Sequence, residues 1–167
     1  MGASCCTAID NHFEDKRLRD CTDKNCMKFV PQVRRGKVVS VYDGDTLTLA
    51  ARHGKQGPPF LFRVRLAGID TPELRGGSPA EKEAAIAARD WLRERVLGKC
   101  VTLEEVGLEK YGRLLARVVH KGKDVGSLLL AEGHAVPYDG GKKPAFGEAP
   151  AAGALLAPER VDVIVSP

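Results

Sequence analysis

A chain of 167 residues, 43% apolar and 29% charged, has room for one folded core with some additional tail, and it lacks the composition of a disordered or fibrous protein. Its formal net charge of +4 admits a polyanionic partner without requiring one. It has no apolar run long enough to span a bilayer, and its first residues lack the apolar core of a secretory signal; a soluble chain is expected, its location left open between cytoplasmic and, if acylated, membrane-associated. The cysteines are Cys5, Cys6, Cys21, Cys26 and Cys100; an odd number in a chain with its own core argues against a disulfide framework. Cys21 and Cys26, with His12 nearby, match no standard zinc spacing.

Residues 1–33 are polar, carry both charge signs and sustain no periodicity, so any structure there depends on packing against the barrel. Gly36–Tyr42 and Asp45–Ala50 are alternating, β-branched runs separated by Asp43-Gly44, a hairpin signal. Residues 51–59 read as a loop. In the strand over 60–67, Phe60, Phe62, Val64 and Leu66 share one face, and Leu61, Arg63, Arg65 and Ala67 the other.

Ser78-Pro79-Ala80-Glu81 is a capping box with proline in the first turn. After it come Ala85, Ala88, Leu92 and Val96 at helical spacing, with Trp91 beside them and Gly98 as the stop. Cys100–Glu105 and Arg113–His120 predict two more strands, Lys121-Gly122 a turn, and Val125–Glu132 a short helix closed by Gly133. The expected fold is mainly β with α (α+β): a five-stranded oligonucleotide-binding-type barrel with two to three helices. The expected organisation is an extension over 1–35, a folded domain over 36–139 and a tail over 140–167, whose apolar run Val161–Val165 reads as an added strand or as plain tail.

Four motifs carry chemistry: Y-D-G-D-T at 42–46, R-V-R-L-A-G-I-D-T-P-E at 63–73, E-K-Y-G-R at 109–113 and G-H-A-V-P-Y at 133–138. Asp45, Asp70 and Glu73 are carboxylates at strand ends or in the loops after them, and hard oxygen donors suit Ca²⁺ or Mg²⁺. Arg65 and Arg113 carry the planar fork that matches phosphate. Carboxylates alone would repel a phosphodiester; a divalent cation reverses that local charge, and the arginines would meet the charge developing in the transition state. Each piece also has a plain structural reading. Asp43-Gly44 is a common turn, Arg63 and Arg65 could form a solvated strand face, and Asp70-Thr71-Pro72-Glu73 could be a cap or turn. Their joint order is the specific signal.

That order resembles the staphylococcal (thermo)nuclease family from about Gly36 to about Tyr138, most specifically through R-L-A-G-I-D-T-P-E taken with D-G-D-T upstream and K-Y-G-R downstream. The resemblance implies an oligonucleotide-binding-type barrel, Ca²⁺ as cofactor, and hydrolysis of DNA, RNA or both to 3′-phosphate ends by a monomer. A catalytically silent nucleic-acid-binding barrel is the alternative. Carried over by motif, Asp45 and Asp70 become carboxylate ligands of the metal and Thr71 adds its carbonyl. Glu73 becomes the residue that activates or positions water. Arg65 and Arg113 become the catalytic clamp on the phosphate, and Lys110, Tyr111 and Tyr138 face the substrate. Arg63 has no catalytic counterpart. The chain departs from the family pattern in its short loop between Glu73 and Ser78, in Glu109 ahead of K-Y-G-R, and in residues 143–160, where Pro144, Pro150 and Pro158 interrupt any helix. At the amino terminus, Gly2 with Cys5 and Cys6 offers a site for myristate and palmitate, and so for membrane attachment, although position 6 is cysteine where the motif asks for Ser or Thr.

Overall fold

A computed structural model describes residue 18 and residues 21–54, 57–75 and 77–141. The Gly2, Cys5 and Cys6 site and the Val161–Val165 run lie outside the described residues. Among the described residues there are eight strands and two helices, in the chain order β1 (Arg35–Val41), β2 (Thr46–Arg52), β3 (Pro59–Leu66), β4 (Ile69–Asp70), α1 (Pro79–Val96), β5 (Cys100–Leu108), β6 (Leu114–His120), β7 (Lys123–Asp124), α2 (Val125–Ala131) and β8 (Val136–Pro137).

The main sheet runs β3-β2-β1-β5-β6-β7, and a parallel pairing of β3 with β6 closes its first five strands into a mixed barrel. Closure leaves the long strands without a free edge between β3 and β6. The alternation legible in the sequence delivers the core. Val38, Leu47, Leu49, Val64, Leu66, Val101, Leu103, Leu114, Ala116 and Val118 all point inward and are buried. Each of the larger side chains contributes about 1.5–3 kcal/mol by leaving water. The expected inward face of β3 holds at Phe62, Val64 and Leu66 but ends before Phe60, which is half exposed at the open end of the β2–β3 ladder. The preceding segment also enters the core: Val33 is buried, and the Arg34 carbonyl accepts from Leu103 N.

Helix α1 begins as its cap predicts, with Ser78 Oγ accepting from Glu81 N at 3.2 Å and Pro79 in the first turn. The reciprocal half of the capping box is redirected: Glu81 Oε1 accepts from the backbone N–H of Glu73 at 3.5 Å, tying the helix start to the loop after β4. Ala85, Ala88, Trp91, Leu92 and Val96 form its buried stripe. It ends at Gly98, whose φ of +74° favours glycine and whose N–H donates to the Val38 carbonyl. Helix α2 starts under an Asp124 cap and is held against α1 by Trp91 Nε1 donating to Glu132, over which Arg95 also closes at 2.9 Å.

The β1–β2 connection shows why Asp43-Gly44 is there. Tyr42 N donates to the Thr46 carbonyl, and Asp43 Oδ1 accepts from Asp45 N at 3.1 Å, an aspartate turn rather than a two-residue hairpin. Gly44 is required by close approach: a Cβ there would lie 2.8 Å from Ala88 Cβ on α1 and 2.8 Å from Thr71 Cγ2. The hairpin tip therefore presses onto both the helix and the loop after β4. Gly44→Ala is expected to destabilise the fold by about 1–3 kcal/mol through this overpacking. Urea denaturation measures it, and an unchanged midpoint would show that the tip has slack.

Candidate active site

The site is built where three strands meet. Across β2–β3, Thr46 pairs with Arg65, and on the other flank of β3, Arg65 pairs with Leu115 of β6. This register places Asp45, at the end of the hairpin, beside the outward face of β3, and Leu66 N donating to the Asp45 carbonyl at 2.8 Å fixes the backbones together. After Leu66 the chain turns at Gly68 (φ +77°) into β4, which brings Asp70 back toward the same strand.

Arg65 occupies the centre. Its Nη1 donates to Asp45 Oδ2 at 2.6 Å and its Nη2 to Asp70 Oδ1 at 2.8 Å, so one guanidinium holds two buried carboxylates. The exposures are 3% for Asp45, 5% for Asp70 and 4% for Thr71, values at which charged groups need partners. Burial, then the negative charge of Asp43, pushes the Asp45 carboxyl up to about 7 despite the opposing Arg65. Burial works to lower the Arg65 guanidinium, but Asp45 and Asp70 outweigh it and hold it above its usual value.

Arg113 stands just before β6 and faces the same corner. Its Nε and Nη2 donate to the two carboxylate oxygens of Glu109 at 2.6 and 2.8 Å, a bidentate fork. Its Nη1 donates to Thr46 Oγ1 at 3.2 Å, and Thr46 Oγ1 in turn donates to Asp45 Oδ1 at 2.9 Å. A continuous polar chain thus runs from Glu109 through Arg113, Thr46, Asp45 and Arg65 to Asp70. The hydrogen bond from Arg113 holds Glu109 below its ordinary value, and the Glu109 bond in turn raises Arg113.

A cleft of about 380 Å³ opens beside Arg65, lined among others by Gly68, Glu109, Lys110 and Tyr138. The Tyr138 ring lies under the Arg65 guanidinium at 5.8 Å, and Tyr138 N donates to the Gly68 carbonyl. Strand β8 pairs with β4 and thereby carries Tyr138 to this place. Of the residues singled out in sequence, the structure draws Asp45, Arg65, Asp70 and Arg113 into one network and Lys110 and Tyr138 into the adjoining cleft. Thr71 is buried next to Asp70, against Gly44. Tyr111 is 72% exposed outside that cleft's lining, with Lys110 Nζ over its ring at 4.9 Å. Glu73 is exposed on the loop after β4, its backbone bound to Glu81, and Arg63 is exposed on β3. Sequence reading assigned nothing to Thr46, although it stands inside Y-D-G-D-T, because a threonine in a strand has an ordinary propensity explanation.

A five-stranded barrel with a carboxylate–arginine corner at one rim defines a class, and comparison with known proteins identifies it. The family model of staphylococcal nuclease homologues matches residues 63–154. The chain belongs to that family. Among similar proteins, one named "Probable endonuclease LCL3" from Candida dubliniensis is 37% identical over 90 residues, covering 51% of this chain and 38% of that protein. A protein of the same name from Saccharomyces cerevisiae (strain RM11-1a) is 38% identical over 86 residues, 46% of this chain and 30% of the relative. An uncharacterized protein of Bacillus anthracis is 31% identical over 133 residues, 77% of this chain and 59% of the relative. The chain therefore spans less than two thirds of the length of each of these relatives.

The Glu109–Arg113 fork yields a pH test. Because the folded-state pKa of Glu109 lies below the ordinary 4.5, its stabilising contribution is present above that value and is lost as pH falls through the lowered pKa. Glu109→Gln is expected to be less stable than the parent chain above pH 4.5 and to lose less stability below it. Parallel acid-unfolding profiles for the two would remove the fork from the stability of the fold.

Proposed function

We propose that this chain is a nuclease that hydrolyses phosphodiester bonds of DNA, RNA or both with calcium as cofactor, leaving 3′-phosphate ends and working as a monomer. The observation that carries the reading is the corner itself: two guanidinium groups held on one buried carboxylate, one of them through Thr46, at the rim of a cleft bearing Lys110 and Tyr138. Family membership and the relatives named as probable endonucleases support it.

The donor set fits a hard divalent cation. Asp45 and Asp70 are buried and each turns one oxygen to the Arg65 guanidinium, and burial pushes the Asp45 carboxyl up to about 7, so a cation added beside it would favour its ionised form. Under the proposal, Asp45, Asp70 and the Thr71 carbonyl hold calcium. When bound, it would offset the charge of the phosphodiester and polarise a non-bridging oxygen. Arg65 and Arg113 would bind the phosphate and stabilise the charge that accumulates on its oxygens, and their positions are set before substrate arrives. Glu73 would orient the attacking water or take its proton. Lys110 would contact the phosphate backbone, while Tyr138, and more peripherally Tyr111, would offer ring faces to bases.

Incubating the purified chain with single-stranded DNA and with RNA, with and without Ca²⁺, tests the reading directly. Cleavage that requires the metal and leaves 3′-phosphate termini is the expected result. Glu73→Ala and Arg113→Ala should each lower the rate by about 10²-fold or more with the fold retained. A folded protein that binds oligonucleotide without cutting it in calcium would instead be a binding module, and full activity in both variants would place the chemistry elsewhere.

A further inference from the structure

Thr46 is one of only four polar or charged residues buried among the described residues, at 1% exposure. Its hydroxyl has two neighbours, Asp45 Oδ1 at 2.9 Å and Arg113 Nη1 at 3.2 Å. The direction of both bonds is set by what the partners can do. A guanidinium only donates, so the hydroxyl oxygen must accept from Arg113. The hydroxyl has one proton, which therefore goes to the Asp45 carboxylate. With Asp45 ionised, no other orientation satisfies all three groups, and at this burial water is not at hand to replace the hydroxyl's bonds.

We infer that Thr46 is a positioning residue that sets the carboxylate side of the site and the phosphate side relative to each other, its hydroxyl being the joint between Asp45 and Arg113. This inference rests on the proposed nuclease function and adds a role for a residue that the motif leaves idle. Three features of the fold make the joint stiff. Thr46 is the first residue of β2 and pairs in register with Arg65, so its backbone is fixed beside the other guanidinium. Its β-branched side chain has restricted χ1. By occupying Asp45 Oδ1, the hydroxyl leaves Oδ2 directed at Arg65. On the other side it holds Nη1 of Arg113, the terminal nitrogen that Glu109 does not engage. Without the hydroxyl, Arg113 would answer to Glu109 alone and Asp45 would lose a constraint on its rotation.

The test compares Thr46→Val, which keeps shape and branching but removes the hydroxyl, with Thr46→Ser, which keeps the hydroxyl. Calcium affinity is read by isothermal titration calorimetry, and kcat and KM on a single-stranded oligonucleotide in saturating calcium. For the valine variant the expected result is weaker calcium binding by severalfold and a fall in kcat of about 10- to 100-fold, as for loss of hydrogen bonds to charged groups. The serine variant should recover kcat to within about threefold of the parent, rescue that a packing role would not give because serine lacks the methyl group. A folded valine variant with parental kcat and calcium affinity, or a folded serine variant as impaired as valine, overturns the inference. If the valine variant does not fold, the serine variant decides: parental kcat and calcium affinity support the joint and their loss in a folded protein refutes it. A parent chain that neither binds calcium nor cleaves refutes the functional reading itself, and the inference with it.

Discussion

The corner depends on a single guanidinium placed between two buried carboxylates. Bringing Asp45 and Asp70 out of water at 3% and 5% exposure is costly, and bringing them close together adds repulsion. Arg65 offsets both by donating one terminal nitrogen to each. The offset is incomplete, since Asp45 remains raised to about 7, driven first by burial and then by Asp43. Even so, no buried side-chain nitrogen or oxygen among the described residues lacks a hydrogen-bond partner. No buried polar atom of the corner is left without a partner, while burial still disfavours the charge on Asp45. Under the proposed function, a cation added there would offset part of that cost.

The elements around the corner deliver those three residues to one point. Arg65 needs β3 to sit between β2 and β6, which barrel closure imposes through an antiparallel ladder on one side and a parallel one on the other. Asp45 needs the β1–β2 tip to lean over β3, which the Leu66–Asp45 backbone bond and the missing Cβ of Gly44 allow. Asp70 needs the chain to reverse after Leu66. Gly68 turns it, and the two-residue pairing of β4 with β8 holds it there. The same pairing seats Tyr138 under Arg65, so the last motif reaches the site through the backbone of the second one.

The sequence was most informative where local chemistry and periodicity agree. The alternation of β2 and of β3 from Phe62 on, the strands β5 and β6, the stripe of α1 and its Ser78 cap are local patterns that the structure shows, whereas the alternation of β1 breaks at a bulge between Val38 and Ser40 that puts Val38 and Val41 in the core. Elements set by distant contacts were not legible. Strands β4 and β8 have two residues each and exist only because they find one another. Strand β5 runs on to Leu108, beyond the expected Glu105, because a bulge between Glu104 and Gly107, with Glu105 at φ +53°, absorbs the irregularity that made the pattern look finished. Phe60 has the right parity for the core but stands where the barrel opens, so a period of two could place its direction and not its depth. In the site, residue types with few structural uses announced themselves, as the arginines and aspartates did. Thr46 did not, since its importance lies in which two groups share its hydroxyl.

The two arginines are held in opposite ways, and the contrast separates their tasks under the proposed function. Arg65 is 14% exposed in its side chain and spends both terminal nitrogens on carboxylates that sit below the rim, while its guanidinium also borders the cleft and overlies Tyr138. Its two ion pairs are screened by salt far less than exposed ones would be. Arg113 is held by a bidentate fork to Glu109 whose carboxylate is 17% exposed, an acid that presents the same two-oxygen geometry as a phosphate. Under the proposed function, an incoming phosphodiester would engage Arg113 either by sharing it or by displacing Glu109. Displacement would exchange one anionic partner of Arg113 for another. In that exchange Thr46 would matter most, because its bond to Nη1 would keep Arg113 registered to Asp45 while the fork changed hands.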